Sequence, residues 1–221
     1  MKKKILTLFI LAFAVTAASA YEENYGPRSY FIGAGMGIVV TTGDLNERAI
    51  TVKDTSGNKM KAYPPDISLM GNPEFMVGVN IREFTLAVAF QYWKADQELV
   101  KLSSEESCRY WRLGFEFTYN FFWPDYFQIG LGGGFSYTSL KTENSTFNGE
   151  EFHDTEFMGS GIALVANVQY YFNNNIAVVP AVKFYRNWFK NVYTEDSENR
   201  ELDPYLWQTF ISGSVALQFQ F

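Results

Sequence analysis

Apolar and polar side chains alternate with a period of two along most of this chain. Trp111, Leu113, Phe115, Phe117, Tyr119 and Phe121 share one parity, and Arg112, Gly114, Glu116, Thr118 and Asn120 share the other. Successive residues of a strand point to opposite faces, so this run predicts a strand with one bulky apolar face and one small or polar face. Seven further runs repeat the pattern, over residues 29–40, 75–81, 84–93, 127–137, 162–172, 176–184 and 207–221. Three connections are short: Arg82-Glu83, the stretch 122–126 with Pro124-Asp125, and Asn173-Asn174-Asn175. Such residues suit tight turns. The other four, 41–72, 94–107, 140–157 and 190–204, are long. Short turns at one end and long loops at the other predict an all-β fold, an eight-stranded antiparallel up-and-down barrel that crosses a membrane.

The two faces decide which way the barrel is turned. An eight-stranded interior is narrow and is filled by side chains alone. The bulky parity would overfill it, whereas the Gly, Ala, Ser, Gln and Asn of the other parity would fit. The apolar rows must therefore point outward, which only lipid tolerates. A soluble barrel with the aromatic rows inside is the competing reading, and the size of those rows counts against it. Aromatic residues collect at both ends of the runs. Phe121, Phe122, Trp123, Tyr126, Phe127, Tyr170, Tyr171 and Phe172 lie towards the short turns. Tyr92, Trp93, Trp111, Tyr137, Trp188, Phe189, Tyr205 and Trp207 lie towards the long loops. Such rings are expected at the two water–lipid boundaries.

Composition agrees. The chain has 21 Phe, 14 Tyr and 17 Gly, with a mean hydropathy of −0.13, which fits amphipathic strands better than apolar helices. The first residues form a separate unit. Lys2, Lys3 and Lys4 precede an apolar run interrupted only by Thr7, and Ala18-Ser19-Ala20 follows. This predicts a secretory signal peptide over 1–20 and a barrel domain over 21–221. The apolar run is too short to span a bilayer comfortably. Without its three lysines the mature chain keeps 15 basic and 24 acidic residues, so nucleic acid is not an expected partner. The single cysteine, Cys108, excludes an intrachain disulfide and is expected to be a buried bystander.

With its signal segment, eight alternating strands and a last strand ending Gln218-Phe219-Gln220-Phe221, the chain resembles the small outer-membrane barrels of the OmpA/OmpX type. The resemblance covers the whole mature region. It implies export through the Sec pathway, residence in a Gram-negative outer membrane among lipid and lipopolysaccharide, and a monomer. It also implies that Phe219 and Phe221 form the signal read by the outer-membrane assembly machinery. Full OmpA proteins add a periplasmic peptidoglycan-binding domain after the barrel. No residues follow Phe221 here, so that tether is not expected.

Arg112, Glu116 and Lys183 carry charge on the lumen parity. An isolated charge there would be costly. A buried ion-pair network is expected, with Gln91, Gln128, Asn167, Gln169 and Gln218 completing its hydrogen bonds. A gated ion path is the functional alternative. His153, beside Asp154, Thr155 and Glu156, is the one histidine, and lipid A-modifying barrels use such a residue. No matching nucleophile spacing is present, so a solvated loop histidine is expected. The long loops hold 18 of the 24 acidic residues, which read as a solvated surface or as carboxylates bridged by divalent cations to lipopolysaccharide phosphates. No calcium-loop spacing accompanies them. Residues 130–134, Gly-Leu-Gly-Gly-Gly, lack the lysine and helix of a nucleotide loop and are expected to face a crowded lumen. Pro180, inside the seventh run, predicts a bulge. No catalytic, cofactor or metal residue is assigned. The expected function is a non-enzymatic barrel with a filled lumen, giving envelope integrity or surface display and adhesion through its acidic loops, with a host or surface ligand as the partner. The alternatives are a lipid A-modifying enzyme and a barrel resembling the OmpW type, which passes small hydrophobic molecules sideways.

Overall fold

A computed structural model describes residues 30–46, 50–53, 59–63, 69–95, 108–123, 127–147, 150–173, 175–194 and 199–221. The predicted signal segment lies outside the described residues. The chain runs β1 (Tyr30–Gly43), a short 3-10 turn (Asp44–Asn46), β2 (Ile50–Lys53), β3 (Lys59–Tyr63), β4 (Leu69–Gly71) and β5 (Glu74–Ile81). It continues through β6 (Phe84–Ala95), β7 (Cys108–Trp123), β8 (Phe127–Phe147), β9 (Glu150–Asn173), β10 (Ile176–Thr194) and β11 (Asn199–Gln220). β1 and β5 to β11 pair in sequence order, all antiparallel. β1 then pairs with β11 from Phe31↔Gln220 to Gly43↔Gln208, which closes the ring of eight. Closure leaves no open edge within the membrane, where an unpaired N–H or C=O could find no water.

The faces are inverted relative to a soluble protein. Phe135 and Leu164 on the outward rows are 71% and 63% exposed, whereas Arg112 and Gln91 inside are 0% exposed. Small residues bring the walls together. A Cβ at Gly132 would strike the Phe117 carbonyl oxygen, and one at Gly134 would strike that of Phe115. The glycine run is thus strand backbone that needs its neighbours close, in β8 rather than in a loop.

The strands extend further than the apolar alternation predicts. β8, β9, β10 and β11 are 21, 24, 19 and 22 residues long. Most of the predicted loops 140–157 and 190–204 is therefore hairpin. The first long connection also carries structure: β3 pairs with the top of β8 through Ala62↔Phe147, and β4 pairs with β1. The reason lies in what the lumen holds there. Leu140, Phe157, Phe189, Val192, Leu202, Leu206 and Phe210 point inward and form an apolar core. The 3-10 turn caps it. Leu45 is buried in this core, its N–H donates to Gln208 Oε1 at 3.2 Å, and Asp44 Oδ2 accepts from the Trp207 N–H at 2.8 Å. Apolar residues inside stabilise strands that have already left the lipid.

Two details differ from expectation. Phe189, Tyr171 and Trp93 belong to the interior, not to the aromatic girdles. All three stand on the inward parity of their strands, where nearness to the girdle level does not decide the face. Pro180 makes no bulge. Its pairing to β11 is continuous, and the β9 register is the same at Val178↔Tyr170 and at Ala181↔Asn167. Proline removes one N–H, and its ring points outward to lipid, so the ladder passes it unshifted. The β9–β10 register shifts instead at Ile176/Ala177 and between Phe189 and Asn191, where Lys190 is the extra residue, and at that second level β11 skips four residues, 202–205, between Leu206 and Glu201.

Candidate functional site

β10 brings Lys183 to the centre of the lumen. Its Nζ donates to Glu74 Oε1, and to Glu116 Oε2 at 2.9 Å and Oε1 at 3.2 Å. Arg112 lies two inward positions from Glu116 on β7, and its Nη1 donates to Glu116 Oε1 at 3.2 Å. Gly114 stands between them. A Cβ there would lie 2.7 Å from Arg112 Nη2, so only glycine leaves room for the guanidinium to fold along the strand. On its other side the guanidinium stacks on the Tyr185 ring, with Cζ 3.8 Å from the centroid. Gln91, directly opposite Arg112 in the β6–β7 register, donates to Glu74 Oε2 at 2.5 Å and to Tyr185 Oη at 3.0 Å. Two cations and two carboxylates therefore meet in one buried, neutral set. Each ion alone would cost several kcal/mol to desolvate, and only mutual pairing offsets that cost.

Beneath the charges lies a cavity of about 30 Å³, bordered by Glu74, Glu116, Lys183, Asn167, Gln169 and Gln218 among others. That is room for about two waters. A polar layer closes the lumen below it. Asn120 Nδ2 donates to Thr85 Oγ1 at 2.7 Å, and Thr85 Oγ1 donates to Asn80 Oδ1 at 2.7 Å. Tyr171 Oη donates to Gln169 Oε1 at 2.5 Å and lies 3.3 Å from Gln128 Oε1. Above the charges, Asn187 bridges Ser136 and Thr138 at 3.0 and 2.8 Å, and the apolar core follows.

The residues anticipated from sequence fall into three groups. Gln91 joins Arg112, Glu116 and Lys183, and Gln128 and Gln169 meet at Tyr171. Asn167 and Gln218 border the cavity. Glu74, Tyr185 and Tyr171 complete these groups and were not anticipated as members of them, although strand parity places each inside. The histidine constellation is different. His153 belongs to β9, not to a loop, and its side chain lies outside the described residues. Thr155 is fully buried on the inward row, whereas Glu156 lies on the outward row and accepts from Ser139 Oγ. The strand thus divides these neighbours between two faces. The side chains of Cys108 and of the acidic pairs Glu105-Glu106, Glu150-Glu151 and Glu195-Asp196 lie outside the described residues. Among the described residues no three His, Cys, Asp or Glu gather into a metal-binding group.

A closed antiparallel ring with a polar, charge-paired lumen and an apolar outer wall defines a membrane-spanning β-barrel. The profile of the outer membrane protein beta-barrel domain matches residues 5–219, and the chain belongs to that family. The protein is therefore an integral barrel of the Gram-negative outer membrane. Among solved structures it is similar to Neisserial surface protein A, at 13% identity and a TM-score of 0.56, over 89% of this chain and 100% of that one. It is also similar to OprG of Pseudomonas aeruginosa, at 13% identity and a TM-score of 0.50, over 89% of this chain and 97% of that one. The outer membrane protease OmpT of Escherichia coli follows at 9% identity and a TM-score of 0.45, over 91% and 100%. Identities this low show a shared fold alone. No curated protein matches the chain in sequence.

Proposed function

We propose that the protein is a non-enzymatic barrel with a sealed lumen that presents a rigid extracellular surface, for adhesion or for envelope integrity. The observation that carries this reading is the filling of the lumen. The paired charges of Glu74, Glu116, Arg112 and Lys183 block it at mid-height, and Phe157, Phe189 and Phe210 fill it above. The same core holds β8 to β11 upright beyond the membrane, which gives the extension a fixed shape. In this reading residues 1–20 direct export, the assembly machinery reads Phe219 on the lipid-facing row of β11 and Phe221 just past its end, and the extension meets a surface ligand. A passage for small hydrophobic molecules would need an open apolar chamber, and the apolar part of this lumen is packed with aromatic rings.

The test is to replace residues 145–152, the tip of the β8–β9 hairpin, by a two-residue turn. Cells carrying this form in place of the full chain should keep the barrel in the outer membrane and lose adhesion to surfaces. If adhesion is unchanged and detergent sensitivity rises on deletion of the whole chain, integrity is the role. Stable conductance steps from the intact protein in a planar bilayer would overturn the sealed lumen.

A further inference from the structure

The wall of the barrel parts at one place. β5 pairs with β6 up to Glu74↔Gln91, and among the described residues no pairing joins β4 to β6 above that rung. β4 stays on β1, from Ile38↔Gly71 to Val40↔Leu69, while β6 stays on β7 as far as Ala95↔Cys108. Pro73 explains the seam. The Asn72 N–H donates to the Gly37 carbonyl at 2.8 Å, on the β1 side. Neighbouring residues of a strand direct their N–H groups to opposite sides, so residue 73 would have to supply the next bond to β6, and proline has no N–H. Trp93 stands in the seam. It is half-buried, and a Cβ at Gly71 would lie 2.5 Å from its ring. Trp93 is nine residues above Phe84 on β6. At about 3.3 Å per residue and a tilt near 40°, that is a climb of roughly 23 Å, close to the top of the apolar band.

Behind the seam the lumen holds an excess of hydrogen-bond donors. Among the described side chains ten buried polar atoms have no partner, and six of them lie here: Asn72 Oδ1, Gln91 Oε1, Trp93 Nε1, Tyr110 Oη, and Nε and Nη2 of Arg112. Gln91↔Arg112 and Trp93↔Tyr110 are successive inward rungs of β6 and β7. Asn72 lies two residues beyond Glu74 and so comes level with Trp93 across the seam. The six atoms therefore share one layer. Four can donate and two only accept. Even with both amide oxygens matched to Tyr110 and Trp93, the Nε–Nη2 edge of Arg112 is left over. That edge is a pair of parallel N–H groups on a fully buried cation whose Nη1 already serves Glu116. Its complement is a planar group with two oxygens.

We infer that this layer is a blind binding site for the carboxylate head of a fatty acid, entered sideways through the β4–β6 seam from the outer leaflet. The head takes Nε and Nη2 of Arg112, and Nη1 keeps Glu116. The seam opens at headgroup height, so the added charge is not cut off from water as one beside Lys183 would be. The hydrocarbon chain lies outside, along the exposed Phe75↔Phe90 pair and Tyr92. Entry requires the Trp93 indole to turn out of the seam, which no backbone pairing opposes. The charge cluster closes the lumen below and the aromatic core closes it above, so the molecule binds and does not pass through. The site adds to a sealed lumen and does not open it.

The test places the full chain in phosphatidylcholine nanodiscs with a palmitic acid that carries a diazirine beside its carboxyl group, or with the methyl ester of the same probe. Light fixes the probe where it sits, and peptide mass spectrometry maps the new bonds. The acid should label the inward residues of 91–93 and 110–112 at least about tenfold more than the ester does, the difference that one charge-assisted hydrogen bond makes. Arg112→Lys keeps a cation for Glu116 but has no fork, and should lose that preference. Trp93→Ala opens the seam and leaves the fork, so it should raise inward labelling by the acid severalfold. Equal inward labelling by acid and ester overturns the proposal without any variant. Label confined to outward residues such as Phe90 and Tyr92 overturns the pocket. A preference that survives Arg112→Lys overturns the assignment to the fork, and unchanged labelling in Trp93→Ala overturns the seam as the entrance. Planar-bilayer recordings decide the sealed lumen separately, since a blind site leaves them silent whether or not the acid binds.

Discussion

Lys183 holds two carboxylates at once, so replacing it separates charge balance from packing. Methionine keeps most of the stem's volume and removes Nζ. Lys183→Met leaves Glu74 and Glu116 facing one cation. Arg112 reaches Glu116 at 3.2 Å, whereas Glu74 keeps only the Gln91 amide at 2.5 Å. A hydrogen bond to a carboxylate contributes roughly 1.5–3 kcal/mol, and this one is present before the substitution as well, so it does not replace the lost cation. Removing one partner of a buried pair costs about 3–5 kcal/mol, because the other charge stays buried. The expected loss is therefore about 3–4 kcal/mol, a large part of the ~5–15 kcal/mol that holds a typical domain folded. Adding Glu74→Gln should reverse most of it, since Arg112 and Glu116 then form a neutral pair. Each substitution alone destabilises, yet the two together should cost less than Lys183→Met by itself, a coupling of about 2 kcal/mol or more. The assay is equilibrium urea unfolding in lipid vesicles followed by tryptophan fluorescence, with folded protein counted independently by its faster electrophoretic mobility before heating. A double variant no more stable than Lys183→Met would refute the view that charge neutrality holds the lumen together.

Phe189 is fully buried and packs edge-on against Phe157 at 6.5 Å, so Phe189→Ala should cost about 3–5 kcal/mol in the same unfolding assay. It should leave planar-bilayer recordings silent, because the charge cluster below still closes the lumen. Gly132→Val drives a side chain into the Phe117 carbonyl and should destabilise by at least ~2 kcal/mol, whereas Gly213→Ala, where nothing lies within 4 Å of the added Cβ, should be neutral or stabilise by up to ~1 kcal/mol.

The strands within the membrane were legible because lipid and lumen impose one solvent on each face. Every inward position of β7 from Arg112 to Asn120 is buried, as alternation requires. The strand ends were not legible because the solvents change there. Along β10 the outward row passes from Val182 and Phe184 to Arg186, Trp188 and Lys190, while the inward row passes from Lys183 to Phe189 and Val192. Alternation persists but its sense reverses, and the bulge at Lys190 then shifts its phase. A rule that assigns apolar residues to the outside stops at this level and reads the remainder as loop.

Charge neutrality completes the lumen site from the sequence itself. Arg112, Lys183 and Glu116, the charges placed inside by alternation, sum to one excess cation. A narrow lumen sealed from water cannot hold that excess without a large penalty, so a second carboxylate on the inward parity was required. Glu74 meets the condition. It shares parity with Met76 and Gly78, one residue before the apolar run that begins at Phe75. The apolar run begins at its first lipid-facing residue, Phe75, and so leaves Glu74 outside it. A strand's first inward residue has no lipid-facing residue before it to mark the strand's start, so it is lost from any count made on the apolar face. In an inverted barrel the buried charges locate strand ends that the hydrophobic rows leave open.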